Sequence, residues 1–336
     1  MKAQVIHAHG TIEDIRFEAQ WPDPKPGPGE VVLRVGACSL NYHDLFTLRG
    51  MPGIRLDLPL IMGIDVAGEV VEVGPDAGHW KVGDRVMVDP FERETGRLLG
   101  ERMDGGLAEY VKVAAQQLVA LPDSVSFEAA SALPVAYGTA YRMMMARGRI
   151  QAGEKVFILG ASGGVGTCCV QLAKMSGCTV IVAASSQSKI DKLRELGADD
   201  GVNYSTEDWV KTMQSRYGKA RFGGARAGGV DVVVNFTGGD TWVPSLKTLT
   251  NGGRLLTCGA TAGFDPKEDI RYIWTFELNI IGSNAWLRDD LISLLDLVQA
   301  GRLKPVVDRV LPLTETREAF RLLDERKIVG KIVLKP

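Results

Sequence analysis

KVFILGASGGVGTCCVQLAK, residues 155–174, decides the fold of this chain. An apolar run enters a loop carrying Gly160, Gly163, Gly164 and Gly166, and a helical pattern follows directly. Glycine is needed where backbone turns sharply and where it must approach a pyrophosphate closely. The helix that follows offers free N–H groups and the positive end of its dipole to phosphate. The spacing is G-x-x-G-x-x-G, or A-x-G-x-x-G counted from Ala161, and not strict G-x-G-x-x-G. A tight strand–helix turn without a ligand has the same local signature, so the surroundings must decide.

They favour a dinucleotide site. From 155 to 260, apolar runs (TVIVAAS, VDVVVNF, GRLLTCGA) alternate with helical patterns (GVGTCCVQLAKMSG, KIDKLRELG). That rhythm predicts βαβ units and a parallel sheet covered on both faces. Residues 1–125 read differently, as short strands such as EVVLRVGAC (30–38), GEVVEVG (68–74) and DRVMV (84–88), punctuated by Gly, Pro and Asp. Ser126 with Glu128 opens a capped helical stretch. Beyond 285, DDLISLLDLVQAG and ETREAFRLLDE are amphipathic helices, and KIVLKP closes the chain as a strand. The expected division is 1–125, a Rossmann-like 126–270, and a return segment 271–336 completing the first domain.

Composition sets outer limits. A chain of 336 residues suggests two domains. A net charge of −2 gives no basic excess for nucleic acid. No apolar run reaches membrane-spanning length, and MKAQVIHAHGTIEDIRF reads as a first strand and not a signal peptide. Five cysteines without a C-x-x-C pair suit reduced thiols in the cytoplasm.

The strand after the glycine loop indicates which dinucleotide. An NAD site expects Asp or Glu about twenty residues beyond the loop. Here the slot is Ala184, followed by Ser185, Ser186, Gln187, Ser188 and Lys189. No carboxylate there repels a 2′-phosphate, while hydroxyls and an ammonium can receive one. NADP(H) is therefore expected over NAD(H), although Lys189 has a plainer reading as a solvated helix start.

SLNYHDL, LPLIMGIDVAGEVVEVG, WKVGDRV, DGGLAEYVKV, ALPVAYGTAY and ASGGVGTCCVQLAK follow one another in an order that resembles the medium-chain dehydrogenases/reductases, and more closely their zinc-free quinone oxidoreductase-like branch. The resemblance covers nearly the whole chain. It implies an α/β fold in which a doubly wound Rossmann sheet is inserted in a GroES-like, β-rich catalytic domain, with the active site in the cleft between them and a homodimer formed through the Rossmann sheet edge. VDVVVNF and GRLLTCG are candidates for that edge, with internal strand pairing as the alternative explanation of the same hydrophobicity.

Cys38, His43 and Asp44 in ACSLNYHDL suggest metal ligands at first sight. The family register instead puts Asn41 at the first zinc-ligand position, Ile64 at the imidazole position of Gly63-Ile64-Asp65, and the third near Val135. No catalytic metal is expected, because zinc needs three converging N, S or O ligands. A separate site from Cys38, His43 and Asp65 lacks a recognised spacing. The segment 89–106, where zinc members carry a four-cysteine lobe, contains no Cys.

Without zinc, a simple ketone or alcohol loses its main electrophile. A quinone or an α,β-unsaturated carbonyl can instead spread charge onto an oxygen that hydrogen-bond donors stabilise. By the resemblance, Asn41 is the first polar candidate at the acceptor; Tyr42 and Tyr137 are next as phenolic donors, each with the alternative of a packed aromatic. Cofactor contacts carried over from the family are Gly163, Gly164, Val165, Ser185, Lys189 and Tyr204, with Thr139, Phe236, Gly259, Ala260 and Asn284 around the nicotinamide. Arg49 and Arg55, in the loop 49–59, border the expected entrance. The leading expectation is an NADPH-dependent quinone or enone reductase acting on a small molecule, with no nucleic-acid or membrane partner. A trans-acting 2-enoyl thioester reductase, a zinc-free alcohol dehydrogenase and a low-turnover NADPH-binding protein are the alternatives.

Overall fold

The computed structural model describes residues 1–223 and 228–336. It divides into two units, Met1–Tyr137 with Arg288–Pro336, and Gly138–Leu287. Among the described residues the first carries a seven-stranded sheet and the second a six-stranded one.

In the first unit, the strand Glu30–Ser39 organises the sheet. It pairs antiparallel with Asp65–Val73, Tyr110–Ala114 and the C-terminal Lys331–Lys335. Its inward residues Val31, Leu33, Val35 and Cys38 are buried among Leu45, Val66, Val70, Phe320 and Leu334. Alternation breaks at Gly36, and for a reason: a side chain there would meet the Phe127 ring at 2.3 Å. That contact seats the short helix Phe127–Ser131, capped by Ser126, on the first unit. The boundary expected at 125/126 therefore falls at 137/138.

The second unit is a fully parallel sheet in the order Asp200–Asn203, Thr179–Ala184, Lys155–Ile158, Val230–Val234, Leu249–Thr257, Asn279–Gly282. Numbered along the chain this is 3-2-1-4-5-6, with the reversal between the first and fourth strands. Such sheets bind ligands outside their carboxyl ends at the reversal. Phe157, Ile181, Val202, Val233 and Leu255 fill its core. The sixth strand extends this unit through Leu287, past the expected boundary at 270/271. It also corrects the edge assignment: VDVVVNF and GRLLTCG form interior strands, and the edges are Asp200–Asn203 and Asn279–Gly282.

Candidate active site

The carboxyl ends of the parallel strands collect the cofactor candidates of the second unit. The glycine loop follows Lys155–Ile158 and leads into the helix Gly164–Met175, whose N-cap Gly163 makes no side-chain capping bond. Gly160 turns the chain at φ +64° with Phe236 against it. Gly166 packs the helix onto the loop, since a Cβ would lie 2.5 Å from the Ala161 backbone. A Cβ at Gly163 would meet nothing nearer than the Gly160 carbonyl oxygen at 3.8 Å, so space remains open above the helix N-terminus.

The neighbouring strand ends supply the rest. Ser185 follows Thr179–Ala184, and Tyr204 follows Asp200–Asn203, its N–H donating to the Ala184 carbonyl at 3.1 Å. Ser186 caps the next helix by accepting the Lys189 N–H, and its hydroxyl lies 3.0 Å from that of Ser188. Phe236 follows the fourth strand, and Gly259 and Ala260 the fifth. Exposed Asn284 follows the sixth; its neighbour Ser283 donates its N–H to Thr257 at 2.8 Å. The Ser283 hydroxyl is buried without a partner, a polar atom that a ligand at this end can satisfy. Thr139 lies half-buried on the helix Pro134–Tyr141. The free helix N-terminus, the open glycine and the orphaned hydroxyl fit a dinucleotide. Gly163, Gly164 and Val165 would hold its phosphates and Ser185, Lys189 and Tyr204 its adenosine end.

In the first unit, strand register brings distant residues together. Ser39 stands opposite both Asp65 and Val333, so Asn41, two residues on, comes level with Lys331. Asn41 is the N-cap of the helix Tyr42–Arg49, its N–H donating to Asp44 Oδ2 at 2.7 Å. Its side-chain Nδ2 donates to Asp65 Oδ2 at 2.9 Å, and its Oδ1 accepts from Lys331 Nζ. Lys331 Nζ also lies 3.3 Å from Asp65 Oδ2, and the Val135 N–H donates to Asp65 Oδ1 at 3.0 Å. Asp65 is 0%, Lys331 2% and Asn41 6% exposed, so all three are buried. Burial pushes the Asp65 carboxyl up, opposed by Lys331, Asn41 and the Val135 N–H.

Next to it, His43 pairs with Glu101 through Nε2. Burial disfavours the charged ring, yet the Glu101 hydrogen bond and charge, helped by Asp44, hold its pKa above the ordinary value. Burial lifts the Asp44 carboxyl to about 7, opposed by the Asn41 N–H and His43. A carboxyl raised in the fold favours the native state at low pH and loses that contribution as pH climbs from about 4 through 7. Replacing Asp44 by Asn keeps an acceptor for the Asn41 N–H and removes the titration. The stability of D44N relative to wild type is therefore expected to rise between pH 4.5 and 8, by on the order of 3 kcal/mol. Thermal unfolding across that range checks it; parallel pH profiles would contradict it.

The remaining expectations divide. Tyr42 is half-buried with its ring edge-on to Phe46 at 5.3 Å. Tyr137 takes the packed alternative: it is wholly buried, and its hydroxyl accepts the Val306 N–H at 2.8 Å. Arg49 is engaged by Asp324 at 2.6 Å, while Arg55 is exposed. Sequence reasoning does not find Lys331 or Glu101, and it offers Asp44 only as a possible metal ligand. A lysine inside the otherwise apolar KIVL was the available signal for the first.

The donor set does not suit a catalytic zinc. Ile64 is buried and apolar, Cys38 is a core thiol pushed well up by burial, and the Asp65 carboxylate is engaged by an ammonium. Among the described residues no group of three His, Cys, Asp or Glu side chains could hold a metal ion. All five cysteines are free.

Residues 27–123 match the alcohol dehydrogenase GroES-like domain, and residues 164–300 the family described as zinc-binding dehydrogenase. The chain belongs to the medium-chain dehydrogenase/reductase superfamily. Acryloyl-coenzyme A reductase of Sulfurisphaera tokodaii is 32% identical, covering 100% of both chains. Crotonyl-CoA reductase of Streptomyces avermitilis is 32% identical over 94% of this chain and 81% of its own length. A crystal structure of an NAD-dependent alcohol dehydrogenase is 34% identical, with TM-score 0.90 and 100% of both chains covered. The chain is thus an oxidoreductase of a superfamily that uses nicotinamide cofactors, and no helix among its described residues is long and apolar enough to cross a membrane.

Proposed function

We propose that this chain is an NADPH-dependent reductase of α,β-unsaturated carbonyl compounds or quinones that works without a catalytic metal. The observation that carries the reading is the Asn41–Asp65–Lys331 cluster, an amide and an ion pair at the family's ligand position. When bound, NADPH supplies the hydride. Asn41 donates to the acceptor's carbonyl oxygen as the C=C π bond opens and its electron pair moves toward that oxygen. A proton from solvent or Tyr42 then completes the α-carbon, so one hydride and one proton are consumed per double bond.

Preference for NADPH rests on Ser185, Ser188 and Lys189, and on the lack of a carboxylate at Ala184. The names of two relatives favour 2-enoyl thioesters as the acceptor class, a second reading within the same chemistry. A homodimer is proposed through the edge strand Asn279–Gly282. It is one edge of the parallel sheet and carries the exposed Ile280.

NADPH and NADH oxidation against a quinone, a conjugated enone, its saturated ketone and crotonyl-CoA tests the reading. Turnover of conjugated acceptors, unchanged by chelator and at least about tenfold better with NADPH, is expected. Chelator-sensitive turnover of the saturated ketone would overturn it.

A further inference from the structure

We infer that Lys331 and Asp65 form an orientation lock on Asn41, making Lys331 a positioning residue that fixes one amide N–H toward the acceptor. The inference rests on the proposed reduction and adds a residue to it. An asparagine side chain has two nearly isosteric orientations, one the reverse of the other. Here its oxygen faces the Lys331 ammonium, which only donates, and its nitrogen faces the Asp65 carboxylate, which only accepts when ionised. Reversing the amide would set donor against donor and acceptor against acceptor, both at charged groups. The ion pair therefore admits one orientation.

The same arrangement adjusts the strength of the amide. An ammonium on the oxygen draws electron density from the nitrogen and sharpens its N–H groups as donors. One N–H is spent on Asp65; the second has no partner among the described residues. The Asp65 carboxylate is in turn held by the Val135 N–H, so the lock is anchored to backbone. Lys331 reaches this place because its strand pairs with Glu30–Ser39, the register putting it level with Asn41. Its role is distinct from cofactor binding: its ammonium is directed into the first unit's own buried cluster.

The test is a mutant cycle on the full chain with NADPH saturating and one enone as acceptor. K331M is expected to lower kcat by about 10–100-fold, with the enone KM and the NADPH Kd each within about threefold. N41A should lower kcat further, and K331M/N41A should be no slower than N41A alone, because the lock has nothing left to orient. K331R, which keeps a cationic donor, should recover part of the loss. K331M leaves Asp65 buried without its cation, so a charge-neutral K331M/D65N variant stands beside it and should show the same fall in kcat.

A K331M or K331M/D65N enzyme with wild-type kcat would overturn the lock. So would effects that multiply in the double mutant, or a rise in NADPH Kd large enough to account for the loss. If the wild-type chain reduces no conjugated acceptor, the proposed function falls and takes this inference with it. If wild type turns over and only the cycle fails, the inference falls alone.

Discussion

Replacing Asn41 by alanine lowers kcat/KM for a conjugated acceptor by roughly 100–1000-fold, the effect of removing one preorganised donor from a site where negative charge develops on oxygen. The residue is the neutral member of a buried trio whose other two members are charged. Its alanine variant leaves the Lys331–Asp65 pair facing each other, so the fold should survive the change. NADPH affinity should stay within about threefold, since the dinucleotide candidates lie on the second unit. Steady-state kinetics together with cofactor titration separate the two quantities. A fall in NADPH affinity alone, with kcat preserved, would place the residue elsewhere in the chemistry.

The second large effect comes from the glycine loop and distinguishes two glycines three residues apart. A side chain at Gly163 has open space and a compatible φ of −79°, so G163V should unfold within a few degrees of wild type. It nevertheless fills the volume above the helix N-terminus, and NADPH Kd should rise about 100-fold or more. At Gly166 the added atoms strike the Ala161 backbone at 2.5 Å. G166V should therefore lose stability as well as binding, by about 3 kcal/mol. Calorimetry and fluorescence titration of both variants decide it. Wild-type binding by G163V would mean that this helix end does not receive phosphate.

The architecture was legible because it depends on local periods. Strand–glycine–helix at 155–174 and the alternation after it determine a parallel sheet whatever lies far away in sequence, and the strand ends then gather Ser185, Tyr204, Phe236 and Gly259 without further information. Boundaries were less legible because they depend on packing partners. The helix Phe127–Ser131 belongs with the first unit through Phe127 on Gly36, a contact that helical spacing does not encode.

The buried cluster shows the same limit more sharply. Asn41 was readable from motif register, but Lys331 stands 290 positions away and joins it only through strand pairing. Tyr137 looked available for chemistry because ALPVAYGTAY places a phenol near a family ligand position. Its hydroxyl is instead engaged by a backbone N–H 169 positions on.

The most direct test of the account is the fate of a label from NADPH. With NADPH deuterated at the transferring position, an enone acceptor and excess chelator, the reduced product is analysed by NMR. Metal-free conjugate reduction predicts deuterium at the β-carbon, a solvent-derived hydrogen at the α-carbon and an intact carbonyl. Deuterium on the carbonyl carbon, yielding an alcohol and lost on chelation, would contradict it.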